Sequence, residues 1–276
     1  MKDILCFTDF SAPANNAVEY AARIAVKTGA SVTLVHLMEL PRVYENFSTL
    51  GLLNDYSHDF AETEQKLIAF SAEVASTWNV PCSYRISTVA MDSAAIEDSD
   101  GYVNYDLIVS GTNGADKIYQ FYFGSNSYRI SKKSLTPTLI IPEGCTFREF
   151  GEIVFASSES NPGQLSLSQL RDFMKDFNAT LTVLHVSGKE DPASQEAFHS
   201  FAHAVDELFG FHGKINFQHI VTRDEALTIE SYMHQSNASM LAVHMEKHGY
   251  FYNLFHTSII KKITSYADFP VLVFHK

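Results

Sequence analysis

The residues in this 276-residue chain best suited to chemistry are a set of glycines. Leu107, Ile108 and Val109 form a short apolar run that reads as a buried strand. The run passes into Gly111-Thr112-Asn113-Gly114, and after nine further residues come Gly124, Ser125 and Asn126. A strand that leads through glycine turns into a helix start presents backbone N–H groups able to cradle phosphates. Glycine matters for a steric reason, since a backbone without Cβ can take positive φ and come close to an anion. The spacing G-x2-G-x9-G-S differs from the P-loop pattern, and the P-loop lysine is missing.

What positions these glycines is visible as an internal repeat. Residues 4–36 align with residues 153–185 at a constant offset of 149. Each copy has a buried strand (4–8 and 153–157), a helix, and a second strand (32–36 and 181–185). Ser11 and Ser160 stand at the N-cap position, Pro13 and Pro162 fall in the first turn, and Gly29 and Asn178 close the helices. The predicted core face is Ala17, Val18, Ala21, Ile24 and Ala25 in one copy and Ser166, Leu167, Leu170, Phe173 and Met174 in the other.

Later segments align at an offset of 133, so that Leu107 meets Met240 and Pro137 meets Pro270. The drop from 149 to 133 means that the second copy lacks 16 residues, which we assign to a long loop over 40–57. A helix around Phe60, Leu67, Val74 and Trp78 then corresponds to one starting near Asp191-Pro192 that buries Ala197, Phe201, Val205 and Leu208. The predicted fold is α/β, with two tandem doubly wound, Rossmann-like domains over 1–143 and 151–276, each holding a five-stranded, mostly parallel sheet. Such sheets bind ligands at the carboxyl ends of their strands, where strand order reverses. Thr8 and Asp9, Val35 and His36, and the segment from Gly111 to Ser125 converge there in the first copy.

With its opening residues 4–11, Gly111 to Gly114, Gly124 to Ser127 and the closing run 137–141, the first copy resembles the universal stress protein family throughout. The whole chain resembles the family's tandem members, whose fold is of the adenine nucleotide alpha hydrolase-like kind. The resemblance implies ATP, with Mg or Mn, lying across the strand ends. It assigns Gly111, Gly114, Gly124, Ser125 and Asn126 to ribose and phosphates. Thr8 and Asp9 fall beside the adenosine or an associated cation, and backbone around Val35 and His36 faces the base. Each residue also has a plain structural reading: glycine turns punctuate any α/β fold, Ser125 suits an N-cap, and Asp9 can bond within its own turn.

The second copy departs from this pattern. His244, Lys247 and Thr257 replace Gly111, Gly114 and Gly124, Ser158 replaces Asp9, and Ser258 alone keeps its match. Side chains there obstruct close backbone approach, so a structural or regulatory role is expected. Ten of the twelve histidines lie in this half. His185 and His244, placed at adjacent strand ends, together with His248 and the helical pair His199 and His203, are the candidates for a metal site. The competing reading is that the fold itself puts a histidine at the end of the second strand, as His36 does in the first copy.

Other function classes are excluded by composition and motif. Lys and Arg number 20 against 32 Asp and Glu, a net charge of −12, which argues against binding along DNA or RNA. No apolar run approaches the ~18 residues of a membrane helix, and a strand follows the first residues in place of a signal peptide, so the expected location is the cytoplasm. Cys6, Cys82 and Cys145 lack CxxC spacing and read as reduced, packed thiols. No Gly-x-Ser-x-Gly elbow occurs, and Lys117 and Arg129 are the cations nearest the motif. A binding protein is expected in preference to an efficient catalyst; a slow ATPase, a metal-dependent hydrolase and a nucleotide-independent scaffold are the alternatives. The aromatic stretches 118–123 and 250–255 are expected at a contact between the halves. The runs 139–141 and 272–274 are expected to pair within the chain, with a homodimer left open.

Overall fold

The computed structural model describes residues 1–39, 49–89, 105–112, 136–157, 164–188, 192–210, 215–245 and 268–275. The first half runs β1 (Asp3–Phe7), α1 (Ala12–Thr28), β2 (Ser31–Glu39), α2 (Thr49–Trp78), β3 (Cys82–Val89), β4 (Leu107–Thr112) and β5 (Thr138–Pro142). The second runs β6 (Glu152–Ser157), α3 (Gln164–Phe177), β7 (Thr180–Ser187), α4 (Pro192–Phe209), β8 (Ile215–Val221), α5 (Glu225–Ser236), β9 (Met240–Met245) and β10 (Val271–His275). The aromatic stretches 118–123 and 250–255, and Ser160 and Pro162, lie outside the described residues.

Local chemistry sets the ends of α1. Ser11 is extended (φ −69°, ψ 163°) and its Oγ accepts the Ala14 N–H, so one orphan donor of the first turn is satisfied. Gly29 closes the helix at φ 73°, where its N–H donates to the Ala25 carbonyl. Asn178 takes the same left-handed conformation after α3 at φ 52°. All ten predicted core residues of these two helices are buried. The loop expected over 40–57 is corrected at its second end: α2 begins at Thr49, so residues 49–57 are helical. No proline lies between Pro41 and Pro81 to stop the helix extending toward its N-terminus.

The strands form one ten-stranded sheet in the order β3-β2-β1-β4-β5-β10-β9-β6-β7-β8. Neighbours are parallel except β5 and β10, which pair antiparallel with Ile140 opposite Val271 and Leu139 opposite Leu272. The registers repeat at the sequence offsets: Ile4 faces Leu107 as Ile153 faces Met240, and Val32 faces Cys82 as Leu181 faces Ile215. Alternate residues serve opposite faces. Ile4 and Cys6 belong to one core, Leu5 and Phe7 to another.

The core on the α1 face is continuous across both halves, from Ile4 and Leu34 through Phe150 to Phe155 and Phe274. The segment between β5 and β6 is clipped to both halves. Asn16 Nδ2 donates to the Cys145 carbonyl at 2.8 Å and Tyr20 Oη to the Thr146 carbonyl at 2.9 Å. On the other side Arg148 Nη1 donates to Asn237 Oδ1 at 2.8 Å. The Met1 ammonium meets Asp176 at 3.2 Å, a further tie from β1's end of the chain to α3.

Candidate functional site

A notch opens at the carboxyl edge of the first half because β1 stops short. Phe7, its last residue, is level with Val35, while β2 continues to Glu39 and β4 to Thr112. Thr8 and Asp9 form the floor, and the N-terminus of α1 points into it with its partial positive charge. Strand order thus reverses between β1 and β4, where doubly wound sheets bind ligands.

Hydrogen bonds hold this floor. Thr8 N–H donates to the Val35 carbonyl at 2.9 Å, and His36 Nδ1–H donates to the Thr8 carbonyl at 2.9 Å. Thr8 Oγ1 accepts the Phe10 N–H, and Asp9 Oδ1 accepts both the N–H and the hydroxyl of Ser11. Asp9 is exposed, and the Ser11 bonds use its Oδ1. Burial pushes the His36 imidazole below its ordinary pKa, while the Thr8 carbonyl and Asp9 pull the other way.

Phe10 completes the site and was not singled out from sequence. Its φ is 64°, a region that bulky side chains rarely enter. The turn bonds of Thr8 and Asp9 hold it there, and its ring stacks on His36 at 5.3 Å and leans on Phe70 at 6.1 Å. The Asp-x-Ser spacing of 9–11 is the sequence signal for such a side-chain-bonded turn.

Gly111 lies at the β4 wall, and its missing side chain has an internal use. A Cβ there would lie 2.2 Å from the Pro13 carbonyl oxygen and 2.5 Å from its carbon. The first turn of α1 lies directly against Gly111 on its Cβ side. Gly114, Gly124, Ser125 and Asn126 lie outside the described residues, as does His248.

The second half fills the equivalent place with a side chain. His244 faces Phe274 as Gly111 faces Ile141. It is 5% exposed and shares a 2.7 Å hydrogen bond between Nδ1 and Ser166 Oγ. Ser166 sits where the first half has Ala17, so the two substitutions compensate each other. Ser166→Ala is expected to cost about 1–3 kcal/mol, because the buried imidazole Nδ1 loses its hydrogen bond to the Ser166 hydroxyl. Urea unfolding measures it, and a cost below about 0.5 kcal/mol would refute the pairing.

The placement of His185 and His244 on adjacent strands is corrected, since β6 lies between β7 and β9. Strands two apart are separated by about 9–10 Å. His185 instead stacks on Phe198 at 5.3 Å and lies 5.0 Å from His219, whose Nε2 bonds Ser187 Oγ. His199 bonds the Gln195 carbonyl and His203 pairs with Glu207. Among the described residues no group of three or more His, Cys, Asp or Glu is arranged to hold a metal ion.

Cys6 and Cys145 are buried and Cys82 is half-buried, all three as free thiols. Burial raises the pKa of each, that of Cys82 to about 11, so thiolate is scarce near neutral pH. Among the described residues no helix is long and apolar enough to cross a membrane.

Comparison with known proteins agrees with this geometry. Among solved structures, a universal stress protein from Archaeoglobus fulgidus DSM 4304 is similar over 99% of this chain and 96% of its own, with a TM-score of 0.72 at 17% identity. A functionally unknown protein from Pseudomonas aeruginosa PAO1 is similar over 100% of this chain and 92% of its own, with a TM-score of 0.55 at 14% identity. These likenesses speak for the fold, an α/β architecture with a mostly parallel sheet. No curated protein matches the sequence. The sequence profile of the universal stress protein family matches residues 1–142, just over half of the 276, and the chain therefore belongs to that family.

Proposed function

We propose that the first half binds an adenine nucleotide, ATP with Mg or Mn, at the carboxyl edge of its sheet, and that the protein acts in stress response or regulation. The observation that carries this reading is the notch over Thr8 and Asp9 at the strand-order reversal between β1 and β4. The glycine spacing that begins within β4 at Gly111 and continues at Gly114 and Gly124 supports it from the sequence side. In this reading Gly114, Gly124, Ser125 and Asn126 hold ribose and phosphates through backbone N–H groups and a helix N-terminus. Asp9 holds a cation or a ribose hydroxyl through the oxygen that Ser11 leaves to it. Backbone at Val35 and His36 faces the base, and the neutral His36 ring adds no charge there.

The second half is the structural or regulatory partner. His244 stands where the first half needs glycine, which disfavours a nucleotide bound in the same manner. The antiparallel pairing of β5 with β10 supports a pseudo-twofold monomer built from the two halves. The reading is of a binder; the nucleotide, when bound, brings charge and a transferable phosphoryl group, and this chain's residues orient it.

The purified protein, denatured and analysed by chromatography and mass spectrometry, is expected to release one adenine nucleotide per chain. A Gly124→Trp variant is expected to release none. If the wild type carries no nucleotide and takes none up from excess ATP with magnesium, the reading fails. Turnover of the added ATP would replace a pure binding role with slow hydrolysis.

A further inference from the structure

A cleft of about 330 Å³ opens where α1, α2 and α3 end and the segment between the halves passes between them. Its walls are Trp78 from α2, Phe147 and Phe150 from the connecting segment, and Phe177 from α3. Two cations of α1, Arg23 and Lys27, line one side, and Glu149 stands at the rim. The volume is at the lower end of what small-molecule sites enclose, and aromatic walls with a few charged groups are their usual lining.

The charges give the cleft a preference. Carbonyl ends of three helices converge here and favour cations, which accounts for Lys27 in the last turn of α1. Arg23 is already engaged: it bonds Glu19 at 2.8 Å, and its guanidinium carbon lies 4.7 Å from the Trp78 ring centre and 5.1 Å from that of Phe147. Lys27 is engaged more weakly, since Glu149 approaches it only to 4.0 Å and is itself 84% exposed. A carboxylate therefore already visits the mouth of an aromatic cleft, held by a contact that water contests. A cationic ligand would meet both Arg23 and Lys27.

We propose that this cleft binds a small aromatic carboxylate, its ring against Trp78, Phe147 and Phe177 and its carboxylate on Lys27 in place of Glu149. Such a site lies at the carboxyl end of α1, the opposite end of that helix from the Thr8 and Asp9 notch, and is independent of any nucleotide there.

Trp78 is the chain's one tryptophan, so its emission reports on this cleft alone. The full-length protein is titrated with 4-phenylbutyrate and, separately, with 4-phenylbutylamine, neither of which absorbs where tryptophan is excited. The expected result is a saturable one-site change with the carboxylate and none with the amine. Binding is expected to weaken about tenfold in Lys27→Gln and to tighten about twofold in Glu149→Gln, with saturating ATP leaving the affinity unchanged. The proposal is overturned by any of four outcomes: no saturable change, an equal response to the amine, affinities indifferent to both charge substitutions, or displacement by ATP.

Discussion

Replacing Phe150 by alanine is expected to cost about 3–5 kcal/mol of stability. The residue is 1% exposed although it belongs to the segment connecting β5 and β6. Its ring packs on Phe147 at 5.9 Å, Phe173 at 5.6 Å and Phe177 at 5.0 Å, so one side chain joins the connecting segment to the last turns of α3. Truncation loses the transfer energy of the ring and leaves a cavity that the hydrogen bonds at the Cys145 and Thr146 carbonyls and the Arg148 guanidinium prevent from collapsing. For a chain of this size the midpoint of thermal unfolding should fall by roughly 10 °C. Phe150→Leu should recover more than half of the loss, since most of the volume returns. A fall of only 1–2 °C would mean that the two halves keep separate cores, contrary to the continuous cluster on the α1 face.

Gly111→Ala is expected to cost about 3 kcal/mol in protein stripped of nucleotide. The added methyl would lie 2.2 Å from the Pro13 oxygen, 2.5 Å from the Pro13 carbon and 3.0 Å from the Ala14 nitrogen. All three are backbone atoms of the first turn of α1, which no rotamer change can move aside. Either the helix withdraws from β4 or the strand end bends, and both disturb the floor bonds that Thr8, Asp9 and Ser11 make. The measurement is urea unfolding without ligand beside nucleotide affinity. If stability is untouched and affinity alone falls, the glycine serves the ligand and the helix contact is unimportant. If both fall, the same residue seats α1 and shapes the notch.

The elements of this fold are largely legible in local spacing. Alternation of Ile4, Leu5, Cys6 and Phe7 between two cores follows from the two-residue period of a strand, and the buried stripe of Ala17, Val18, Ala21, Ile24 and Ala25 follows from the helical period. Ser11, Pro13 and Gly29 mark the helix ends through bonds made within four residues. The offsets of 149 and 133 even anticipate the pairing registers, because a repeated sequence repeats its ladders. One boundary differs from the sequence expectation: residues 49–57 belong to α2 although Gly51, Asn54 and Asp55 are weak helix formers, because local propensity is a poor guide to how far a helix runs.

The site shows the same division. From its sequence alone the chain determined that Gly111 ends an apolar strand, that Thr8, Asp9 and His36 reach one sheet edge, and that the second half has His244, Lys247 and Thr257 where the first has glycines. Only the tertiary structure decided that the Pro13 carbonyl fills the space beside Gly111, that His244 is answered by Ser166, that Phe10 stacks on His36, and that β6 separates His185 from His244. It also assembled the aromatic cleft from three helix ends and the connecting segment. Periodicity encodes which face of an element is apolar, because that depends on neighbours one to four residues away. Which element meets that face depends on lateral strand order and on contacts between residues as distant as 13 and 111, and no spacing along the chain carries that information.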